Sequence, residues 1–219
     1  MRHLVEELER LKIMLLEMGG LVESSIQRSV QAVTHKDRIM AAEVFRNEAR
    51  INAIERELDD FAVNLLALHQ PMAADLRLIV AALKINTDLE RMGDLAVNIV
   101  HLANDLMERP PARPMIDIPS IAGLVQSMVR KALDAFVRRD TDLARSVLSS
   151  DDAVDSLRTA YYHELTSFME QDSSNIKEGL ALLSITRNLE RIADHSTNIA
   201  EGVMFLVKGI DIRHRAETL

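Results

Sequence analysis

The chain has 219 residues, 47% of them hydrophobic and 27% charged, with a formal net charge of -8 and no cysteine. That composition belongs to a globular protein, and an acidic balance without any Lys/Arg run excludes the dense basic face that nucleic-acid phosphates require. Absence of cysteine removes disulfides, thiolate metal sites and cysteine nucleophiles together, and is compatible with a reducing compartment. The longest uncharged apolar run, near Leu78 to Leu83, is far shorter than the ~20 residues of a membrane span. The chain is therefore expected to be soluble, with no direct membrane span and with any membrane contact made through a partner.

Only 7 Gly and 5 Pro punctuate a sequence rich in Leu, Ala, Glu, Arg and Met, so long helices and an all-α fold are expected. In chain order the breakers predict helices from Leu4 to His35, Arg38 to Leu68 and Ala73 to Met107. Asp37 is placed to cap the second, and the Gln70-Pro71 turn starts the third. Gly19-Gly20 falls inside the first helix, which implies either a close helix contact or a hinge. Three prolines between Pro110 and Pro114 forbid a continuing helix and mark a linker. Beyond it come helices from Ser120 to Arg138, Asp142 to Glu170 and Ser174 to Lys208, with Asp140 or Thr141 as a cap and Gln171 to Ser174 as a turn. Two units are expected, residues 1–109 and 119–219. Most of the 11 Met are expected to fill the core.

The halves resemble each other. The stretch Leu89-Glu90-Arg91-Met92-Gly93-Asp94, followed by Asn98-Ile99, returns as Leu189-Glu190-Arg191-Ile192-Ala193-Asp194, followed by Asn198-Ile199, 100 residues later. Gly20-Leu21-Val22-Glu23-Ser24 resembles Gly123-Leu124-Val125-Gln126-Ser127 at an offset of 103. The second copy is thus three residues shorter between these segments, a change most easily absorbed in a turn. An internal duplication into two tandem three-helix bundles follows.

What the repeat retains is acidic. Glu90 and Asp94, like Glu190 and Asp194, are four apart and stand on one helix face, where like charges repel. On a helical wheel Thr87, Asp94, Asn98 and His101 share the stripe of Glu90, while Ile85, Leu89, Met92, Ala96, Ile99 and Ala103 gather opposite it as the bundle seam. The carboxylates then lie on the outside of the bundle or beside its edge. A cation site and a solvated acidic face are equally compatible with that placement, and Arg187, three before Glu190, could neutralise the second copy.

Further oxygens would come from the second helix of each half. Glu55 with Asp59, and Glu48 with Asn52, are spaced by four in the first; Asp151 with Asp155 are in the second. At the offset of 103, Glu48 matches Asp151, Asn52 matches Asp155, and Glu55 and Asp59 match Arg158 and Tyr162, so two such sites would not be identical. The candidate metal ligands are Glu55, Asp59, Glu90, Asp94, Asp151, Asp155, Glu190 and Asp194. Hard carboxylate oxygens favour iron, manganese, magnesium or calcium over copper, with zinc less suited without Cys or paired His.

Six helices in two matched halves, with Glu-Arg-X-X-Asp in the third helix of each, resemble the PhoU family of phosphate-transport regulatory proteins. The resemblance rests also on Met18-Gly19-Gly20-Leu21-Val22-Glu23, on Gln70-Pro71-Met72-Ala73-Ala74-Asp75-Leu76-Arg77, and on the stretches from Leu89 and Leu189. It implies two similar three-helix bundles carrying multinuclear iron, or other divalent metal, on Glu/Asp-X-X-X-Asp pairs. Glu90 with Asp94 and Glu190 with Asp194 match that pattern best, while Glu55 with Asp59 and Asp151 with Asp155 match it less closely. Ala193 in place of Gly93, and Asn52 in place of Asp155, are departures between the halves.

The resemblance further implies a non-enzymatic cytoplasmic adaptor, peripheral to the inner membrane through its partners. Those partners are the phosphate ABC transporter and the phosphate-sensing histidine kinase, with negative regulation of uptake and of the starvation response when phosphate suffices. A homodimer is expected. The alternatives are a metal-free helical partner-binding module and a di-iron carboxylate enzyme. The enzyme is disfavoured because none of the seven His lies three residues after a Glu, the pairing such bundles use. His195, beside Asp194, is read as a surface or partly buried histidine, since neighbours on a helix point about 100° apart.

Overall fold

The computed structural model describes residues 2–107 and 116–209; the proline segment expected to be the linker, Arg109 to Pro114, lies outside them. Among the described residues the chain is all-α. It forms α1 (Arg2–His35), α2 (Arg38–His69), α3 (Ala73–Met107), α4 (Ile118–Arg138), α5 (Thr141–Gln171) and α6 (Ile176–Lys208), with a 3-10 turn at Ser173–Asn175.

Local chemistry explains the boundaries. The Asp37 carboxylate accepts from the Ile39 and Met40 amides at 2.8 and 3.2 Å, and Asp140 accepts from Asp142 and Leu143 at 2.9 and 3.0 Å, satisfying donors that have no partner within the helix. Each cap follows a basic residue in the left-handed region, Lys36 at φ 53° and Arg139 at φ 54°, so the duplication repeats its turn down to the backbone. α1 and α5 begin at Arg2 and Thr141 rather than Leu4 and Asp142, and two further starts differ for a local reason. α4 begins at Ile118 rather than Ser120, because Asp117 caps it through the Ser120 amide at 3.1 Å. α6 begins at Ile176 rather than Ser174, because Asp172 accepts from the Ser174 amide at 2.8 Å and closes a 3-10 turn first. The three-residue shortening falls at this turn, between α5 and α6.

α2 packs on α1 and α3, α5 packs on α4 and α6, and the halves join through α1 against α4 and α3 against α6. α3 and α6 share the most extensive helix contact in the molecule. They run antiparallel: Arg77 Nε donates to the Leu206 carbonyl at 3.4 Å near one end, and Asp88 reaches His195 at 2.9 Å closer to the middle. The two three-helix bundles are therefore not separate bodies. One core runs from Leu8 to Leu206 through both halves.

Gly19 belongs to that join. A Cβ there would stand 2.2 Å from Leu133 Cδ1 on α4, so glycine permits the close approach of α1 and α4, and α1 continues unbroken past it. The hinge alternative has no counterpart in the helix. The predicted seam of α3, Ile85, Leu89, Met92, Ala96, Ile99 and Ala103, is fully buried. So are Leu78, Ile79, Ala82 and Leu95, because α3 faces α1, α2 and α6 at once. A single apolar stripe, as read from the sequence, underestimates a helix with three neighbours.

Candidate functional site

Each acidic stripe lies in a groove between an outer helix and an inner one. In the first half the register of α2 on α3 is set by two contacts. Asn86 Nδ2 donates to the Glu55 carbonyl at 3.0 Å, and a Cβ on Gly93 would stand 3.1 Å from Ile51 Cδ1. That antiparallel register brings Glu48 and Asn52 level with Asp94 and Glu90, and places Glu55 about one turn further along.

The Glu90 side chain is only 16% exposed, so it is not on the outside of the bundle but sunk at its edge. Burial first, then the neighbouring Asp94 and Glu55, push its carboxyl above the usual range, with Arg91 opposing. Arg91 lies 3.4 Å from Glu90 and 3.7 Å from Asp94, on a side chain that is itself mostly in solvent. Asn52 donates to Glu48 at 2.7 Å, and its Oδ1 is buried without a hydrogen-bond donor. Asp59, expected in the same site, is turned to Asn86, whose Nδ2 it accepts at 2.9 Å. Asn86 is fully buried, so this bond fixes the groove wall. Of the expected first-half set, Glu90 adjoins both Asp94 and Glu55, which lie on either side of it along the groove; Glu48 and Asn52 were visible in the sequence as a spaced pair but are singled out only by the helix register.

The second groove holds Asp151 and Asp155 on α5 against Glu190 and Asp194 on α6. All four adjoin. Burial and then Asp194 and Asp155 raise Asp151; burial and then Asp194 raise Glu190; burial and then Asp155 raise Asp194. Arg158 opposes the last two shifts. Its Nε lies 3.6 Å from Glu190 and 3.9 Å from Asp155 and is buried with no hydrogen-bond acceptor. Arg187, the cation expected here, contributes only weakly to Glu190. Arg158 was legible only as the mismatch to Glu55.

His195 is partly buried, as read from the sequence, but it has a specific partner. Its Nδ1 is 2.9 Å from Asp88 Oδ1 on α3, and Asn198 Nδ2 donates to the same oxygen at 3.2 Å. This tie crosses between the halves. Among the described residues no three or more His, Asp or Glu side chains close on a point that would hold a metal ion as they stand; the carboxylates line the grooves instead.

The PhoU domain model matches residues 15–103 and 118–203, the two halves with their grooves. The chain belongs to the PhoU family. It is 42% identical over 209 residues to a phosphate-specific transport system accessory protein PhoU homolog of Pseudomonas putida, covering 95% of this chain and 82% of that one. The crystal structure of PhoU from Pseudomonas aeruginosa superposes with a TM-score of 0.90 at 41% identity, over 94% of this chain and 99% of that one. The phosphate transport system regulatory protein PhoU from Streptococcus pneumoniae superposes with a TM-score of 0.87 at 29% identity, over 95% and 98%. These PhoU relatives are named as accessory and regulatory proteins, not as enzymes, and this chain is a member of that non-enzymatic family. Among its described residues no helix is long and apolar enough to cross a membrane.

Proposed function

We propose that this chain is an accessory regulator of phosphate uptake. In that role it links the phosphate ABC transporter to the phosphate-sensing histidine kinase and restrains uptake and the starvation response when phosphate is sufficient. The observation that carries this reading is the match of both halves to the PhoU domain, supported by relatives named for the phosphate-specific transport system. The work is done in the cytoplasm, at the membrane face through partners, by a homodimer. Deleting the gene should derepress phosphate-starvation genes in phosphate-rich medium, and membranes containing the transporter should retain the protein while membranes lacking it should not. Normal repression together with transporter-independent retention would overturn the reading.

Divalent metal belongs to the same proposal. The donor chemistry fits: Glu48, Glu55, Glu90 and Asp94 with the undonated Asn52 oxygen in the first groove, and Asp151, Asp155, Glu190 and Asp194 in the second. These are hard oxygen donors suited to iron or manganese, and also to magnesium or calcium. A bound ion would neutralise like charges and tie the outer helix to the inner one. Burial and mutual repulsion disfavour the ionised carboxylates, and Arg91 in the first groove and Arg158 and His195 in the second offset that cost only in part. A metal-free partner-binding module is the second reading, favoured by the absence of a closed ligand set among the described residues. Elemental analysis after loading with iron(II) or manganese(II) separates the two.

A further inference from the structure

The two grooves are built on one plan but carry opposite charges at one position. Glu55 in the first is matched by Arg158 in the second, a swing of two units, and Asn52 by Asp155, which returns only one. The Arg158 side chain is 41% exposed as a whole, but its inner nitrogen is not. Its Nε is buried, has no hydrogen-bond acceptor, and sits 3.6 Å from Glu190 and 3.9 Å from Asp155. At those distances a guanidinium attracts carboxylates without spending its donor on either. It lies beside one carboxylate of each helix, Asp155 of α5 and Glu190 of α6, at one end of the groove. In the first groove the nearest cation, Arg91, is 58% exposed and approaches from the solvent side; Arg191 repeats it in the second half, so Arg91 does not distinguish the grooves.

We infer that Arg158 is the resident counter-ion of the α5–α6 groove, so that divalent metal fills the α2–α3 groove first and enters the second only by displacing this side chain. The inference rests on the metal reading above and adds an order of filling to it. A like charge a few ångströms from a dication in a half-solvated groove is enough for about a tenfold change in binding.

The test is a manganese(II) titration of the full chain followed by electron paramagnetic resonance, with Asp94→Asn to disable the first groove and Asp194→Asn the second. Two steps are expected, the tighter lost in Asp94→Asn and the weaker in Asp194→Asn. Arg158→Gln should bring the weaker step about tenfold closer to the tighter one, and Arg158→Lys, which keeps the charge, should not. Circular dichroism of Arg158→Gln checks that the helices persist. Should that variant fail to fold, Asp94→Asn and Asp194→Asn still decide the order of filling, which is reversed or equal if the inference is wrong. Unchanged steps in Arg158→Gln overturn the inference while leaving metal binding intact; no manganese step in the wild type removes the metal reading and the inference with it.

Discussion

Comparing the α2–α3 groove with the α5–α6 groove shows how a duplicated scaffold keeps its shape while its chemistry drifts. At the floor of the first, Gly93 faces Ile51; the register places Ala193 against Val154 in the second, and both pairs are fully packed. One methyl group has moved from the outer helix to the inner one, so the volume is conserved while both residues changed. Beside it the wall differs. Asn86 spans the first groove to the Glu55 carbonyl and to Asp59, whereas its counterpart Thr186 is equally buried but bonds back to Leu183 of its own helix at 2.9 Å. At this level of the grooves packing was copied as a sum, but the polar contact of the wall was not copied.

The largest way to break the comparison is to remove one carboxylate from each stripe. Asp94→Asn with Asp194→Asn should abolish most bound divalent metal, measured by mass spectrometry, while leaving helicity unchanged. Metal content equal to wild type would return both stripes to solvated acidic faces. Next in size is the wall. Asn86→Ala should cost about 1–3 kcal/mol in urea unfolding because it leaves Asp59 and the Glu55 carbonyl without their donor. Thr186→Val should cost under about 1 kcal/mol, since only a bond within its own helix is lost. Similar costs at the two positions would mean that the Asn86 bridge does not stiffen the first half.

Acidity sharpens the same contrast. In the first groove Glu90 is raised; in the second Asp151, Glu190 and Asp194 are. A carboxyl raised by folding binds its proton more tightly in the folded state. Its contribution is complete below the unfolded pKa and is lost as pH rises through the folded one. In chelator the melting temperature should therefore rise as pH falls from neutral toward the ordinary carboxylate range. Asp194→Asn should flatten that rise more than Glu90→Gln. A melting temperature that falls steadily over this window would contradict the electrostatic account of both grooves. The smallest effect concerns the moved methyl. Ile51→Val alone should cost about 0.5–1.5 kcal/mol; adding Gly93→Ala, which transplants the second-half pair, should bring stability back to within about 1 kcal/mol of wild type. Additive destabilisation by the two changes would show that the sites do not share one volume.

Much of the fold could be read along the chain because its determinants are local. Apolar residues recur at helical spacing, Asp37 and Asp140 cap through amides two and three residues away, and a copied segment announces a copied helix. The site was legible only in part. Glu90, Asp94, Glu190 and Asp194 sit on the repeat itself, and their spacing alone puts them on one face. Which α2 oxygens meet them depends on how far α2 has slid along α3. Two pairs four apart, Glu48 with Asn52 and Glu55 with Asp59, fit the spacing equally, and only the Asn86 to Glu55 and Gly93 to Ile51 contacts choose between them. Arg158 was hidden for another reason: a search for ligands passes over a cation, although a cation can be what an acidic groove already holds. The tie from His195 to Asp88 joins residues 107 apart in number, and nothing in either neighbourhood points to the other.

The antiparallel crossing of α3 and α6 has a consequence for ancestry. Residues near Gly93 of one helix lie beside residues near Ala193 of the other, and the two clefts at the ends of the crossing are lined by matched positions, Ala81 and Lys84 at one and Ala181 and Ser184 at the other. Copies of one half, placed so that each presents the same surface to the other, form an isologous pair about a twofold axis. The present chain has that arrangement within a single polypeptide. Because both halves belong to one chain, their association is intramolecular and does not depend on concentration. Within one polypeptide the two halves are encoded separately, so one groove can carry an arginine where the other carries a glutamate.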